Sequence, residues 1–377
     1  MEDARLGDLV DIVIGKTPSR SEPSFWHGTH PWVAIRDLNA GPDLRRTKEC
    51  ISNMAVEMTR PKLVAPGTVL FSFKLSIGKT AIAAVPLYTN EAIAALPIRD
   101  ETRVLASYLR RALEAQELAA DSNRATMGLT LNKAALQDIR VPLPTLDEQR
   151  RIAAILDQAD ELRAKRRRTL ALLDELPERI FAERFLDVGR ALNPLGDLAA
   201  WQSGGTPSRS QTAFFSGDIP WMTSGELGPV RVMVSNEMLT TEAVARSSAK
   251  MIPHGSLLLG MYDTAALKSS ISVGRIACNQ AVAFGVPSSG VSPEFLYFAV
   301  RSQRASVLAR RRGARQKNLN LSMIRSITVP VASAAEQTDF ADVVQEVEAL
   351  RAAAEAHLAH LDELFASLQH RAFTGQL

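Results

Sequence analysis

The sequence predicts an α+β fold: two similar α/β domains separated by two long helices that form an antiparallel coiled coil, a pseudo-two-fold tandem repeat. Three observations predict it. A long stretch of helical periodicity lies in the middle of the chain, a second lies at its C-terminal end, and landmarks throughout recur at a nearly constant offset of half the chain.

The first stretch runs from Val141 to Phe185. Pro142 and Pro144 cannot sit inside a helix, whereas the Thr145 hydroxyl can cap the freed N–H groups and Glu148 completes a capping-box spacing. The helix therefore starts at Thr145. Ile152, Ile155, Ala159, Leu162, Leu173, Leu176 and Ile180 fall on alternating three- and four-residue steps, the seam of a coiled coil, with polar steps at Arg166 and Thr169. At 1.5 Å per residue such a helix is roughly 60 Å long, too long to be buried by one small domain. It needs a partner of similar length.

The second stretch supplies that partner. Val141-Pro142 maps to Val329-Pro330, Glu148-Gln149 to Glu336-Gln337 and Leu176 to Leu364, all at one offset. The seam repeats as Phe340, Val343, Val347, Leu350, Leu361, Leu364 and Leu368, with its soft centre at Ala354 and His357. The second start differs, with Val331-Ala332-Ser333 where the first has Leu143-Pro144-Thr145. If the helices pair antiparallel, the tail FTGQL returns toward the start of the chain, as LDVGRALNPLGDL does in the middle.

The repeat extends over the rest of the chain. LGDL at Leu6 recurs at Leu195, GKTPSRS at Gly15 recurs as GGTPSRS at Gly204, and FWHGTHPW at Phe25 recurs as FFSGDIPW at Phe214, at an offset a single position longer than that of the helices. Asn90 in NEAIA matches Asn279 in NQAVA, and Leu131-Asn132 matches Leu319-Asn320. The spacing slips between Gly67 and Asn90 against Gly255 and Asn279, which is where the halves diverge. Within the first half Val33 to Ile35, Val69 to Phe71 and Ala81 to Ala83 read as short strands, and Ser107 to Ala120 as a helix whose counterpart is Glu294 to Arg312. The domain class is mixed α and β with an irregular sheet.

A chain of 377 residues with 46% apolar and 23% charged residues is long enough for two or three folded domains. Its net charge of +3 is weak, so a nucleic-acid reading rests on where the basic residues lie. Cys50 and Cys278 lack zinc-ligand spacing and do not suggest a disulfide scaffold. No stretch approaches the ~18 apolar residues of a membrane span, and MEDARLGDLV is not a leader; the expected setting is the cytoplasm.

Catalytic motifs are scarce. GKT occurs at Gly15 and Gly78, but a phosphate loop needs a glycine five residues earlier, where Val10 and Phe73 stand. No dinucleotide fingerprint and no Asn-Pro-Pro-aromatic motif is present. His27 and His30 near Trp26 and Trp32 fit a loop better than a metal site. Asp37, Glu91 and Glu101 do not make an acid/base pair.

Basic residues are more informative. Arg310, Arg311, Arg312, Arg315 and Lys317 cluster before Leu319, with Gln316 and Asn318 interleaved as base-edge readers would be; the first half has Arg124, Thr126, Asn132 and Lys133 in the same place. Thr17, Ser19, Arg20 and Thr206, Ser208, Arg209 in the two G-x-TPSRS loops suit phosphate or base contacts, against the alternative that these loops are simply tight turns. Lys74, Tyr262, Lys268 and Arg275 occupy the divergent stretch, where specificity should reside, and Arg36 adds a further basic group. Lys165 to Arg168 reads either as a solvated helix face or as a surface for an anionic partner.

V-P-L-P-x-x-x-E-Q-R-x-I-x-x-x-L after the first domain with its altered copy after the second, G-x-TPS near the start of each, and His/Ile-Pro-Trp leading a strand together resemble the specificity subunit of type I restriction-modification systems over the whole chain. The resemblance implies four segments: target-recognition domains at 1–143 and 189–331, and long helices at 144–188 and 332–377. It implies that each domain reads one half of a bipartite, non-palindromic site on double-stranded DNA, with the gap set by the coiled coil. It implies a chain that catalyses nothing and holds no cofactor. S-adenosylmethionine would belong to two modification (methyltransferase) subunits docked on the helices, and ATP and Mg to restriction subunits that translocate and cleave. The rival classes are a coiled-coil adaptor without DNA specificity, which needs no pair of divergent basic heads, and an autonomous methyltransferase or nuclease, which needs a motif of its own.

Overall fold

The computed structural model describes residues 2–116, 131–187, 189–262, 265–311 and 318–377. The chain divides into two compact units, Met1–Arg166 with His357–Leu377, and Arg167–Ala356. Both long helices are thus shared, each giving one half to each unit.

In the first unit a five-stranded sheet has the spatial order Val13–Ile14, Ile93–Leu96, Val69–Ser72, Thr80–Ala83, Asp43–Leu44. A three-stranded sheet has His30–Val33 between Glu49–Ile51 and Tyr88–Thr89, and Glu2–Arg5 pairs antiparallel with Arg140–Leu143. The central strands are apolar on both faces, as expected where both are covered. Val69, Phe71, Ala94 and Leu96 pack with Tyr108, Leu109 and Leu113 of helix Ala106–Glu114, while Leu70, Ala81, Ala83, Ile93 and Ala95 pack with Val33, Leu38 and Leu44.

The second unit repeats this plan strand for strand. Its large sheet runs Ala199–Ser203, Val282–Pro287, Leu257–Gly260, Ser269–Ser272, Arg231–Val232; its small one places Ile219–Met222 between Met238–Leu239 and Ala277–Cys278; Leu192–Pro194 pairs with Thr328–Pro330. Burial pushes the Cys278 thiol up to about 12. Helix Pro293–Arg311 covers the large sheet.

Local differences from the sequence reading have identifiable causes. The strand read at Val33 to Ile35 is His30–Val33, because Ala34 N–H donates to Asp37 Oδ2 (2.9 Å) and turns Ile35–Ala40 into a 3-10 helix. His30 therefore lies on a strand, not in a loop, against Asn53 (2.6 Å) and the Tyr88 ring. The helix read from Ser107 spans Ala106–Glu114. The long helices are Leu146–Phe185 and Ala334–Thr374. The first is capped at Thr145, whose hydroxyl accepts from Glu148 N (3.4 Å). The altered second start makes the more complete capping box: Glu336 accepts from Ser333 N (2.7 Å) and Ser333 Oγ accepts from Glu336 N (3.3 Å). No helix among the described residues is long and apolar enough to cross a membrane.

Within each unit the helix halves run antiparallel. In the first, Arg151 donates to Leu377 O (2.6 Å) and Arg163 to Asp362 (2.6 Å); in the second, Arg351 donates to Asp174 (2.6 Å) and Phe181 meets Phe340 at 5.4 Å. Ile152, Val347 and Phe340 of the expected seam are buried, and Ile155, Leu173, Leu176, Ile180, Val343, Leu361 and Leu368 partly so. Leu162, Leu350 and Leu364 are instead 46%, 52% and 50% exposed. Near its ends each helix is closed over by a domain core, which buries a wider face including Leu156, Phe185, Val344 and Ala372. Farther in, ion pairs rather than leucines meet between the helices.

Candidate nucleic-acid interface

In each unit the strand registers collect three loops at one end of the large sheet. Ile14 opposes Ala94, Ser72 opposes Ile93 and Phe71 opposes Thr80, so Gly15, the turn at Asn90 and the hairpin loop Phe73 to Lys79 share that end. Backbone bonds join them: Lys16 N to Thr89 O (2.8 Å), Phe73 N to Ala92 O (3.0 Å), Leu131 N to Phe73 O (2.9 Å). The second unit has the same joints, Gly205 N to Cys278 O (3.0 Å), Met261 N to Ala281 O (2.9 Å) and Leu319 N to Met261 O (2.8 Å). Asn90 and Asn279 shape the shared turn, their Oδ1 atoms accepting from Ala92 N (3.1 Å) and Ala281 N (3.0 Å). The repeated motifs thus build a common frame. The hairpin loops mounted on it differ, FKLSIGK in one unit and MYDTAALK in the other.

The glycines opening the G-x-TPSRS loops are required by close approach: a Cβ on Gly15 would lie 2.1 Å from Thr89 O, and one on Gly204 2.2 Å from Cys278 O. Thr17 Oγ1 donates to Glu91 and Thr206 Oγ1 to Gln280. Ser19 bonds Ser21 (2.7 Å) and Ser208 bonds Ser210 (2.8 Å). Arg20 grips Glu49 through both terminal nitrogens (2.5 and 3.1 Å) and lies 3.6 Å from the centre of the Trp26 ring. Arg209 grips Glu237 in the same way (2.5 and 2.8 Å) with Phe215 and Trp221 at 4.6 and 5.1 Å. The hydrogen bonds from these arginines hold the Glu49 and Glu237 carboxyls below the usual carboxylate range, and the arginines are raised in return. All the polar groups of these loops that the sequence singled out have a partner within their own domain.

Arg36 joins the first clamp, donating to Glu49 (2.5 Å). Lys74 lies in the hairpin loop beside the Phe73 ring, and Lys133 is exposed at the start of helix Lys133–Asp138, next to the Leu131 joint. Tyr262 and Lys268 are half-buried in the second hairpin loop. Arg275 is not in this cluster: it is exposed in the turn beyond the opposite end of strand Ser269–Ser272, where Gly274 N donates to His254 Nδ1 (3.3 Å). The chain has crossed the sheet along that strand before it reaches Arg275. Arg124, Thr126, Arg312, Arg315, Gln316 and Lys317, and the side chains of Arg310 and Arg311, lie outside the described residues. Of the acids read as scattered, Asp37 is structural: it accepts from Ala34 N and Lys48 N, and its counterpart Glu226 accepts from Thr223, Ser235 and Asn236. Sequence reasoning missed Glu49 and Glu237, although they stand at the offset of the repeat.

The sequence profile of the type I restriction modification DNA specificity domain matches residues 1–172 and again 192–360. The chain belongs to this family. This specificity-domain protein is 22% identical over 280 residues to the type I restriction enzyme MjaIX specificity subunit of Methanocaldococcus jannaschii, covering 67% of this chain and 64% of that one. It is 26% identical over 162 residues to the EcoR124I/EcoR124II specificity subunit of Escherichia coli, covering 41% and 40%. The matches thus span less than two thirds of these curated relatives. Its fold is that of the S subunit of a type I restriction-modification system from M. genitalium, with a TM-score of 0.61 and 13% identity over 99% of this chain and 96% of that one. A chain from a structural study of type I system assembly and conformational transition gives a TM-score of 0.64 and 16% identity over 100% and 98%.

Proposed function

We propose that this specificity-domain protein is the DNA-recognition subunit of a type I restriction-modification complex and carries no catalysis of its own. Each globular domain reads one half of a bipartite, non-palindromic site on double-stranded DNA. The observation that carries this is the loop cluster present twice, the same hydrogen-bonded frame holding two different hairpin loops. A shared frame with dissimilar tips suits two readers of one chemistry and two sequences. Lys74 and Lys133 on the first domain, and Tyr262 and Lys268 on the second, face DNA. The paired helices set the interval between the half-sites and dock two modification subunits, which bring S-adenosylmethionine; where restriction subunits join the complex, ATP and Mg come with them. The complex works in the cytoplasm.

The test is to map methylated adenines in DNA from cells expressing this chain with its modification subunit. A single bipartite motif, with one methylated adenine in each half and a fixed gap, is expected. A continuous or palindromic motif, or methylation unchanged when the chain is deleted, contradicts the proposal.

A further inference from the structure

The clamp on the G-x-TPSRS loop is built on the same plan in both units. Arg20, Trp26, Trp32 and Glu49 of the first correspond to Arg209, Phe215, Trp221 and Glu237 of the second. The rings also hold the loop backbone: Trp26 Nε1 donates to Ser19 O (3.0 Å), Trp32 Nε1 to Lys16 O (3.1 Å) and Trp221 Nε1 to Gly205 O (3.0 Å). Each guanidinium is thus held on an edge by a carboxylate and on a face by aromatic rings. Glu237 cancels the charge of Arg209 locally, while in the first clamp Glu49 is shared by Arg20 and Arg36 and Glu91 is a second carboxylate acting on Arg20; in both, the carboxylate at 2.5 Å repels a phosphate that approaches the gripped edge. A group meant to meet DNA phosphate directly would be poorly served by this environment.

We infer that Arg20 and Arg209 are positioning residues, which fix the two loops on their aromatic shelves so that the paired hydroxyls Ser19/Ser21 and Ser208/Ser210 are presented to DNA. In each serine pair one hydroxyl donates to the other, leaving one O–H free to donate outward. The arginines themselves make no DNA contact. The inference rests on the specificity-subunit reading above and concerns how its recognition loops are held.

The experiment uses the full chain assembled with its modification subunits and a duplex carrying the motif mapped for the unsubstituted complex. Binding is measured across salt concentrations for Arg20→Lys, Arg20→Ala and Glu49→Gln. A positioning role predicts that all three weaken binding by about tenfold, the size of a mismatched base pair. The slope of log affinity against log salt stays unchanged. Lysine fails like alanine because an ammonium cannot make the planar two-point grip. A direct phosphate contact predicts the opposite: Arg20→Lys binds like the unsubstituted protein, Glu49→Gln binds more tightly, and Arg20→Ala lowers the slope by about 0.9. Any of these three results overturns the inference. Hydrogen exchange on the free chain needs no DNA: Glu49→Gln should expose residues 15–21 while strand Val69–Ser72 stays protected, and unchanged exchange at 15–21 also overturns it. Failure of the unsubstituted complex to bind any motif would instead count against the function proposed above.

Discussion

At the scale of single residues, the clamp carboxylates should make the recognition loops sensitive to acid. Glu49 and Glu237 have folded values depressed first by hydrogen bonds from Arg20 and Arg209. A depressed carboxylate contributes stability in full above its unfolded value, about 4.3, and loses it as pH falls through the folded value. Both arginines are more than half exposed, so solvent screening keeps each contribution to about 1 kcal/mol or less. Tryptophan emission from Trp26 and Trp32 should therefore be flat from neutral pH to about 5 and shift below about 4. Glu49→Gln should weaken the shift and Glu49→Gln with Glu237→Gln should remove it, since Trp221 sits on the second clamp; a transition persisting in the double variant would assign it elsewhere. These partners were not legible in the sequence. Arg20 and Glu49 lie 29 residues apart on a loop and a strand that only the small sheet brings together. The TPSRS motif itself was legible, and its hydroxyls and guanidinium suggested DNA because nothing in a linear reading shows that a side chain is already occupied.

At the scale of elements, the two units weld their helix halves to their domains by different means. In the first, Arg110 and Arg111 of helix Ala106–Glu114 are buried and reach Asp157 (2.5 and 2.7 Å); Arg111 also meets Glu114 and Asp160. Burial alone would lower the Arg111 guanidinium, but Glu114, Asp157 and Asp160 outweigh it and hold it above its ordinary value. Arg111 and Arg163 also lie over Phe365, at 5.6 and 4.2 Å. In the second unit, counted from Leu105 and Ser292, whose N–H groups donate to the equivalent Gln149 and Gln337, Phe298 stands where Arg111 stands in the first, in a cluster with Phe181, Phe185, Phe295 and Phe340. Arg111→Ala should cost about 3 kcal/mol, the low end for a broken buried pair because Asp157 and Asp160 keep some water. Phe298→Ala should cost about 3–5 kcal/mol. Urea unfolding measures both, and a loss below about 1 kcal/mol in either would show that weld to be dispensable. Helix positions were readable from proline, capping residues and periodicity. Which leucines are covered was not, because domain cores and ion pairs replace the simple seam. The helix also continues through Pro177, which removes one hydrogen bond and lines a cleft of about 670 Å³ with Leu173 and Arg351.

At the scale of the whole molecule, the repeat was the most legible feature, since nearly the same offset recurs in strands, turns and helix starts alike. Sheet order was not legible: strands of two to six residues pair across long sequence separations that local pattern does not encode. If the helix pair sets the interval between half-sites, one heptad added to each helix, after Arg168 and after Ala356, should lengthen the tolerated gap. At 1.5 Å per residue and 3.4 Å per base pair the increase is about three base pairs. A methylation map with the original gap would refute that role.

The most direct measurement exchanges residues 1–140 for those of a related specificity subunit and maps methylated adenines in cells that carry the hybrid with its modification subunit. The account predicts that one half of the bipartite motif changes to that of the donor while the other half and the gap stay as they were. A change in both halves, or in neither, would contradict it.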